Sequence, residues 1–93
     1  MLIERTVTVP RAAPEVFDYL ADFTTTEEWE PGTVTTTHLE GDGGVGTRYR
    51  NVSRFLGRTT ELEYVVEEFQ SPHLLQLRGE NKTVVSVDTM TLT

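Results

Sequence analysis

The chain has 93 residues, 37% of them hydrophobic, with 15 acidic against 8 basic side chains and a formal net charge of −7. That length allows one domain, burying roughly 60–65% of its unfolded surface, so the stability margin is thin. The acidic balance disfavours nucleic acid phosphates and anionic lipid headgroups, no run approaches the ~20 apolar residues of a membrane span, and the lack of cysteine removes disulfides, thiolate chemistry and Cys-based metal sites.

Residues 3–9 alternate as a strand. A helix is predicted from Pro14, a residue suited to the first turn because its missing N–H would be unpaired there anyway. Glu15 places negative charge at the positive helix end, and Val16, Phe17 and Leu20 form the apolar stripe. A second helix is predicted from Thr24, with Glu27 three residues on in a capping-box pattern; Pro31 and Gly32 end it. The opening Met1-Leu2-Ile3-Glu4-Arg5 has no basic segment followed by an apolar run, so a cytoplasmic location is expected.

Only strands are predicted after that: 33–39, about 46–55, about 58–69, about 74–79 and about 83–92. The loop Glu40-Gly41-Asp42-Gly43-Gly44 separates the first two, Leu56-Gly57 forms a tight turn, Gln70-Ser71-Pro72-His73 separates the next pair, and Asn81-Lys82 forms a two-residue turn. Centring the middle hairpin on Leu56-Gly57 pairs Tyr49 with Tyr64, Asn51 with Leu62 and Ser53 with Thr60. The other face then sets Arg50 beside Glu63 and Val52 beside Glu61, with Arg54 diagonal to Glu61. Alternation of this kind marks a half-buried antiparallel sheet, and it assigns Tyr49, Asn51, Ser53, Phe55, Leu62, Tyr64 and Val66 to the inner face. Centring the last hairpin on Asn81-Lys82 adds Leu75, Leu77, Ser86, Asp88, Met90 and Leu92, and leaves Val85 and Val87 outside.

Three stretches carry a family likeness: the strand followed by Ala13-Pro14-Glu15-Val16-Phe17, the exit Trp29-Glu30-Pro31-Gly32, and Gly44-Val45-Gly46-Thr47-Arg48-Tyr49-Arg50. One strand, two small helices and a long meander resembles the polyketide cyclase/dehydratase branch of the START-like (SRPBCC, helix-grip) superfamily. The resemblance implies an α+β helix-grip domain over residues 1–93, with a curved antiparallel sheet and two short N-terminal helices, lacking a C-terminal strand and a long C-terminal helix. It implies binding of a small hydrophobic or aromatic molecule, lipid- or polyketide-like, in a cavity on the concave sheet face. The alternatives are a cyclase/dehydratase working by acid/base catalysis and a protein-interaction or regulatory module. Whether the chain is an enzyme stays open.

The ligand-binding candidates are Trp29, Tyr49, Asn51, Ser53, Leu62, Tyr64, Leu77 and Ser86. The resemblance places Trp29 at the cavity mouth. Asn51 and Ser53 stand where the family usually carries apolar residues. Buried polar groups must be hydrogen-bonded, so these residues contact either a ligand with polar groups, water, or one another. Asp88, Tyr64 and His38 are the catalytic candidates: a desolvated Asp88 is a general base, or it accepts a bond from Tyr64, and a neutral His38 imidazole suits proton transfer. His38 and His73 are isolated, so neither a metal nor another cofactor is expected. The glycine-dense run 41–46 precedes a strand rather than a helix, so it reads as a hairpin loop and not as a phosphate cradle. An outer patch of Val65, Val85 and Val87 would mark an interaction protein.

Thr89-Met90-Thr91-Leu92-Thr93 alternates without a stop signal. With no covering helix, Phe55, Leu62, Tyr64, Leu77, Met90 and Leu92 are expected to meet water. The expectation is therefore a following segment, or a homo-oligomer whose second copy covers the open face.

Overall fold

The computed structural model describes residues 1–55 and 57–93, with the Phe55 side chain outside the description. The elements run β1 (Leu2–Val9), α1 (Pro14–Ala21), a 3-10 turn (Phe23–Thr25), α2 (Thr26–Trp29), β2 (Thr33–Glu40), β3 (Arg48–Phe55), β4 (Arg58–Gln70), β5 (Leu74–Glu80) and β6 (Val85–Leu92). The six strands form one sheet in the order β1-β6-β5-β4-β3-β2. β2 through β6 pair antiparallel. β1 pairs parallel with β6, so the sheet is mixed rather than purely antiparallel. β1 and β2 thus lie at opposite edges, and the helical segment between them crosses the inner face. That crossing positions the site.

α1 begins at Pro14 with Glu15 in its first turn, as the sequence predicts. It stops at Asp22, whose backbone is extended and whose carboxylate accepts from the Thr24 N–H (3.1 Å) and hydroxyl (2.6 Å). Asp22, not Thr24, is therefore the cap. The second helix starts two residues later than expected, and Glu27 is used differently: its Oε2 accepts from the Thr36 N–H of edge strand β2 at 2.8 Å. An acceptor there satisfies a backbone donor that an edge strand would otherwise leave unpaired.

The middle hairpin has the predicted register, with Tyr49 opposite Tyr64, Asn51 opposite Leu62 and Ser53 opposite Thr60. Gly57 takes a positive φ of 78° at the turn; its expected partner Leu56 and the inward Phe55 side chain lie outside the described residues. On the outer face Arg54 lies diagonal to Glu61 as expected, but the ion pair to Glu61 comes from Arg50 (2.9 Å), and Arg48 bridges Glu40 (2.8 Å) and Glu63. β6 begins at Val85, later than expected, because Asn81 builds a wider turn: its Oδ1 accepts from the Thr83 and Val84 N–H groups. The register therefore pairs Leu77 with Asp88 and Gly79 with Ser86. The shift is an even number of residues, so the same side chains still face inward.

Phe17, Phe23 and Ala21 from the helical segment pack with Tyr49, Leu62, Tyr64, Val66, Leu75, Leu77, Met90 and Leu92. Ring centroids stand 5.1 Å apart for Phe17–Phe69 and 4.9 Å for Phe23–Tyr64. Leu62, Tyr64, Leu77, Met90 and Leu92 are all buried, contrary to the expectation that they meet water. The crossing helices already cover them, each large side chain gaining about 1.5–3 kcal/mol by burial. The argument for a second covering copy therefore does not hold for these side chains. The large apolar side chains left bare lie on both edge strands, Leu2, Ile3 and Val7 on β1 and Val34 and Leu39 on β2, and at Met1, Tyr19 and Val45. Outside, Val65, Val85 and Val87 are half-buried, and exposed Arg78 is paired with both Val65 and Val87. The expected apolar patch is broken by that charge.

Candidate functional site

A cavity of about 520 Å³ lies between the inner face and the α2 end of the helical segment. Phe23, Trp29, Leu62 and Tyr64 supply its apolar wall; Ile3 and Arg5 of β1 flank it; Asn51, Ser53, Ser86 and Asp88 supply its polar side. Each polar side chain comes inward by strand alternation from β3 or β6. Trp29 stands at the end of α2, and its indole N–H donates to the Thr25 hydroxyl at 3.1 Å, leaving the ring face for the cavity.

The polar side chains are satisfied by one another. Ser53 donates to Asn51 Oδ1 at 2.6 Å, and Asn51 Nδ2 donates to Thr36 Oγ1 at 2.9 Å. Thr36 meets Thr26 at 2.6 Å, and Thr26 donates to the Phe23 carbonyl at 2.7 Å. A chain of hydroxyls and one amide thus ties β3 and β2 to the helical segment beneath the cavity. Mutual hydrogen bonding, one of the alternatives open for Asn51 and Ser53, is present. No pattern of spacing pointed to Thr26 and Thr36, which are buried and close the chain.

A second cluster involves β1. Arg5 Nη2 donates to Asp88 Oδ2 at 2.7 Å, and its Nε lies 3.4 Å from Oδ1. Ser86 donates to Asp88 Oδ1 at 2.9 Å, and Glu30 approaches Arg5 at 3.6 Å. Asp88 accepts from Arg5 and Ser86 rather than from Tyr64. The Asp88 side chain is 8% exposed and that of Arg5 49% exposed. The hydrogen bond to Asp88 raises the Arg5 pKa, keeping the guanidinium charged. Burial pushes the Tyr64 phenol above its ordinary value of 10.0, and the nearby Asp88 charge adds to that. Arg5 was not among the sequence candidates; the parallel pairing of β1 with β6, which sets Arg5 opposite Asp88, was the missing information.

Three expected site residues lie elsewhere. Leu77 is fully buried in the core, with no part in the cavity wall. Tyr49 and His38, with ring centroids 5.4 Å apart, line a separate cavity of about 550 Å³ beside Asp18, Asp22, Asp42 and Phe69. His38 is therefore not brought together with Asp88 or Tyr64: strand β2, which carries it, is at the far edge of the sheet from β1. The glycine-dense loop is a packing device. A Cβ at Gly41, whose φ is 99°, would come 2.6 Å from the Thr47 Cα, and buried Thr47 accepts from the Gly43 N–H at 2.8 Å. His73 sits in the turn before β5, with Nδ1 3.1 Å from the Leu92 carbonyl.

A mixed sheet crossed by a helical segment, with a cavity between them, defines an α+β domain. The chain belongs to the polyketide cyclase / dehydrase and lipid transport family, whose model matches residues 2–93. Comparison with curated proteins and with solved structures gave no match. Among the described residues no helix is long and apolar enough to cross a membrane.

Proposed function

We propose that this chain binds a small hydrophobic or aromatic molecule, lipid- or polyketide-like, in the cavity of about 520 Å³ on the inner sheet face. The observation that carries this reading is the composition of the wall: two aromatic rings from the helical segment, Phe23 and Trp29, oppose Leu62 and Tyr64 of β4. A space of that size with apolar walls and a few fixed polar groups is what a small apolar ligand requires. The family description, which joins cyclase and dehydrase activity with lipid transport, supports the same class. Trp29, Asn51, Ser53, Leu62, Tyr64 and Ser86 are the proposed contacts.

The polar side favours binding over acid/base catalysis. Asp88 already accepts from Arg5 on one oxygen and from Ser86 on the other. The Tyr64 phenol is held above its ordinary range by burial, so it does not lose its proton near neutral pH. A general acid or base works best with a pKa near the working pH. The cyclase/dehydratase alternative would need a substrate that displaces Arg5 from Asp88.

The test is binding of a hydrophobic fluorescent probe to the wild-type chain and to Trp29→Ala and Tyr64→Ala. Weaker binding in both variants is expected, with no change on adding a chelator. Equal binding in all three proteins would overturn the reading.

A further inference from the structure

Protons can be counted along the chain of hydroxyls beneath the cavity, and the count bears on what the cavity accepts. The Phe23 carbonyl can only accept, so the Thr26 hydroxyl spends its single proton there at 2.7 Å. The 2.6 Å contact between Thr26 and Thr36 then requires Thr36 to donate. Thr36 in turn accepts from Asn51 Nδ2 at 2.9 Å, which points Oδ1 at Ser53, the donor to it at 2.6 Å. The reverse amide orientation would leave the Thr26–Thr36 contact without a proton. The chain therefore runs one way, from Ser53 to Phe23. It ends at the cavity wall on a Ser53 oxygen with lone pairs and no proton to give.

The other polar groups repeat the pattern. The Ser86 proton goes to Asp88, and the Trp29 N–H goes to Thr25. Arg5 is held by Asp88 and faced by Glu30; Arg54 and Met1 line the same cavity, so charges of both signs stand around it. Where the chain of hydroxyls ends, lone pairs on Ser53 stand beside one spare N–H of Asn51.

Resting on the binding reading above, we infer that the cavity selects apolar molecules bearing a hydroxyl, which donates to Ser53 Oγ, over aprotic analogues of the same shape. An aprotic ligand leaves the Ser53 lone pair dry. Hydrogen bonds aligned head to tail polarise one another, which strengthens the terminal acceptor.

The experiment displaces the bound fluorescent probe with two compounds on one ring skeleton: a naphthol and its methyl ether. The naphthol is expected to bind roughly fivefold more tightly than the ether, the worth of one net hydrogen bond. Ser53→Ala should abolish the preference of naphthol over ether while the ether still binds; a melt of that variant checks that it is folded. Ether binding as tightly as the naphthol overturns the inference. Displacement by neither compound, with the probe still bound, overturns it too and leaves the binding reading intact, whereas failure of the probe itself overturns the binding reading.

Discussion

The Tyr64 ring lies against the bare backbone of Gly79 on the neighbouring strand: a Cβ built on Gly79 would come 2.6 Å from both Cε1 and Cζ of the ring. The two residues are paired in the β4–β5 register. Glycine normally weakens a strand interior; here it makes room for the ring that forms one wall of the cavity. The hollow for Tyr64 and that wall of the cavity are thus one arrangement.

Gly79→Ala should therefore push Tyr64 off its seat and destabilise the fold by about 1–3 kcal/mol, the range for overpacking a buried site. Urea unfolding measures this. The combination with Tyr64→Ala should cost clearly less than the sum of the two single changes, because the clash is gone once the ring is gone. Strictly additive costs would show that the ring does not depend on the glycine.

The legibility of the sequence follows from how local each signal is. The hairpin of β3 and β4 was readable because alternation and one tight turn fix the register between neighbours in sequence, and Tyr49 opposite Tyr64 follows. The inward set on β6 was readable for the same reason, even though Asn81 widens the turn, since an even shift keeps each side chain on its face. Arg5 was not readable. Its partner Asp88 is 83 positions away, and the parallel β1–β6 pairing that joins them leaves no spacing in the sequence. His38 was misplaced in the same way: the residue type suggested chemistry, but strand order alone decides which cavity it enters.

The Arg5–Asp88 pair should respond unequally to loss of either partner. Arg5→Ala leaves a carboxylate that is 8% exposed with only Ser86 to stabilise it. Asp88→Asn leaves a guanidinium that is half in water and still near Glu30. Removing one partner of a buried pair is costly because the other charge stays behind; with Arg5 this exposed the loss shrinks to roughly 1–3 kcal/mol. Arg5→Ala should be the more destabilising change in thermal melts. An equal or larger loss for Asp88→Asn would contradict this account.

Thr36→Val should interrupt the hydroxyl chain at its middle. The valine has nearly the same shape, so packing is kept, but Asn51 Nδ2 loses its acceptor and Thr26 loses its donor. Leaving buried polar groups unpaired costs about 1–3 kcal/mol. Thr36→Ser, which keeps the hydroxyl, should cost less than Thr36→Val by most of that amount. Equal melting temperatures for the two variants would mean that the chain contributes little to the fold.

Alkaline pH should unfold the chain through its tyrosines. Burial raises the Tyr64 and Tyr49 phenols above the ordinary value of 10.0, while in the unfolded chain they ionise at that value. The sign follows from proton binding: above pH 10 the folded state holds protons that the unfolded state has released, so the unfolding free energy falls as pH rises. Below the unfolded value both states keep their phenolic protons and the stability is fully present. Tyr64→Phe removes one such group. Each variant should be compared with its own stability at neutral pH, since the lost hydroxyl also changes packing near Ser86 and Asp88. On that scale Tyr64→Phe should lose less stability than the wild type between neutral pH and pH values above 10.0, with phenolate absorbance rising together with unfolding rather than before it. Phenolate forming in the folded protein well before the structure melts would show that the Tyr64 ring is not sealed from water.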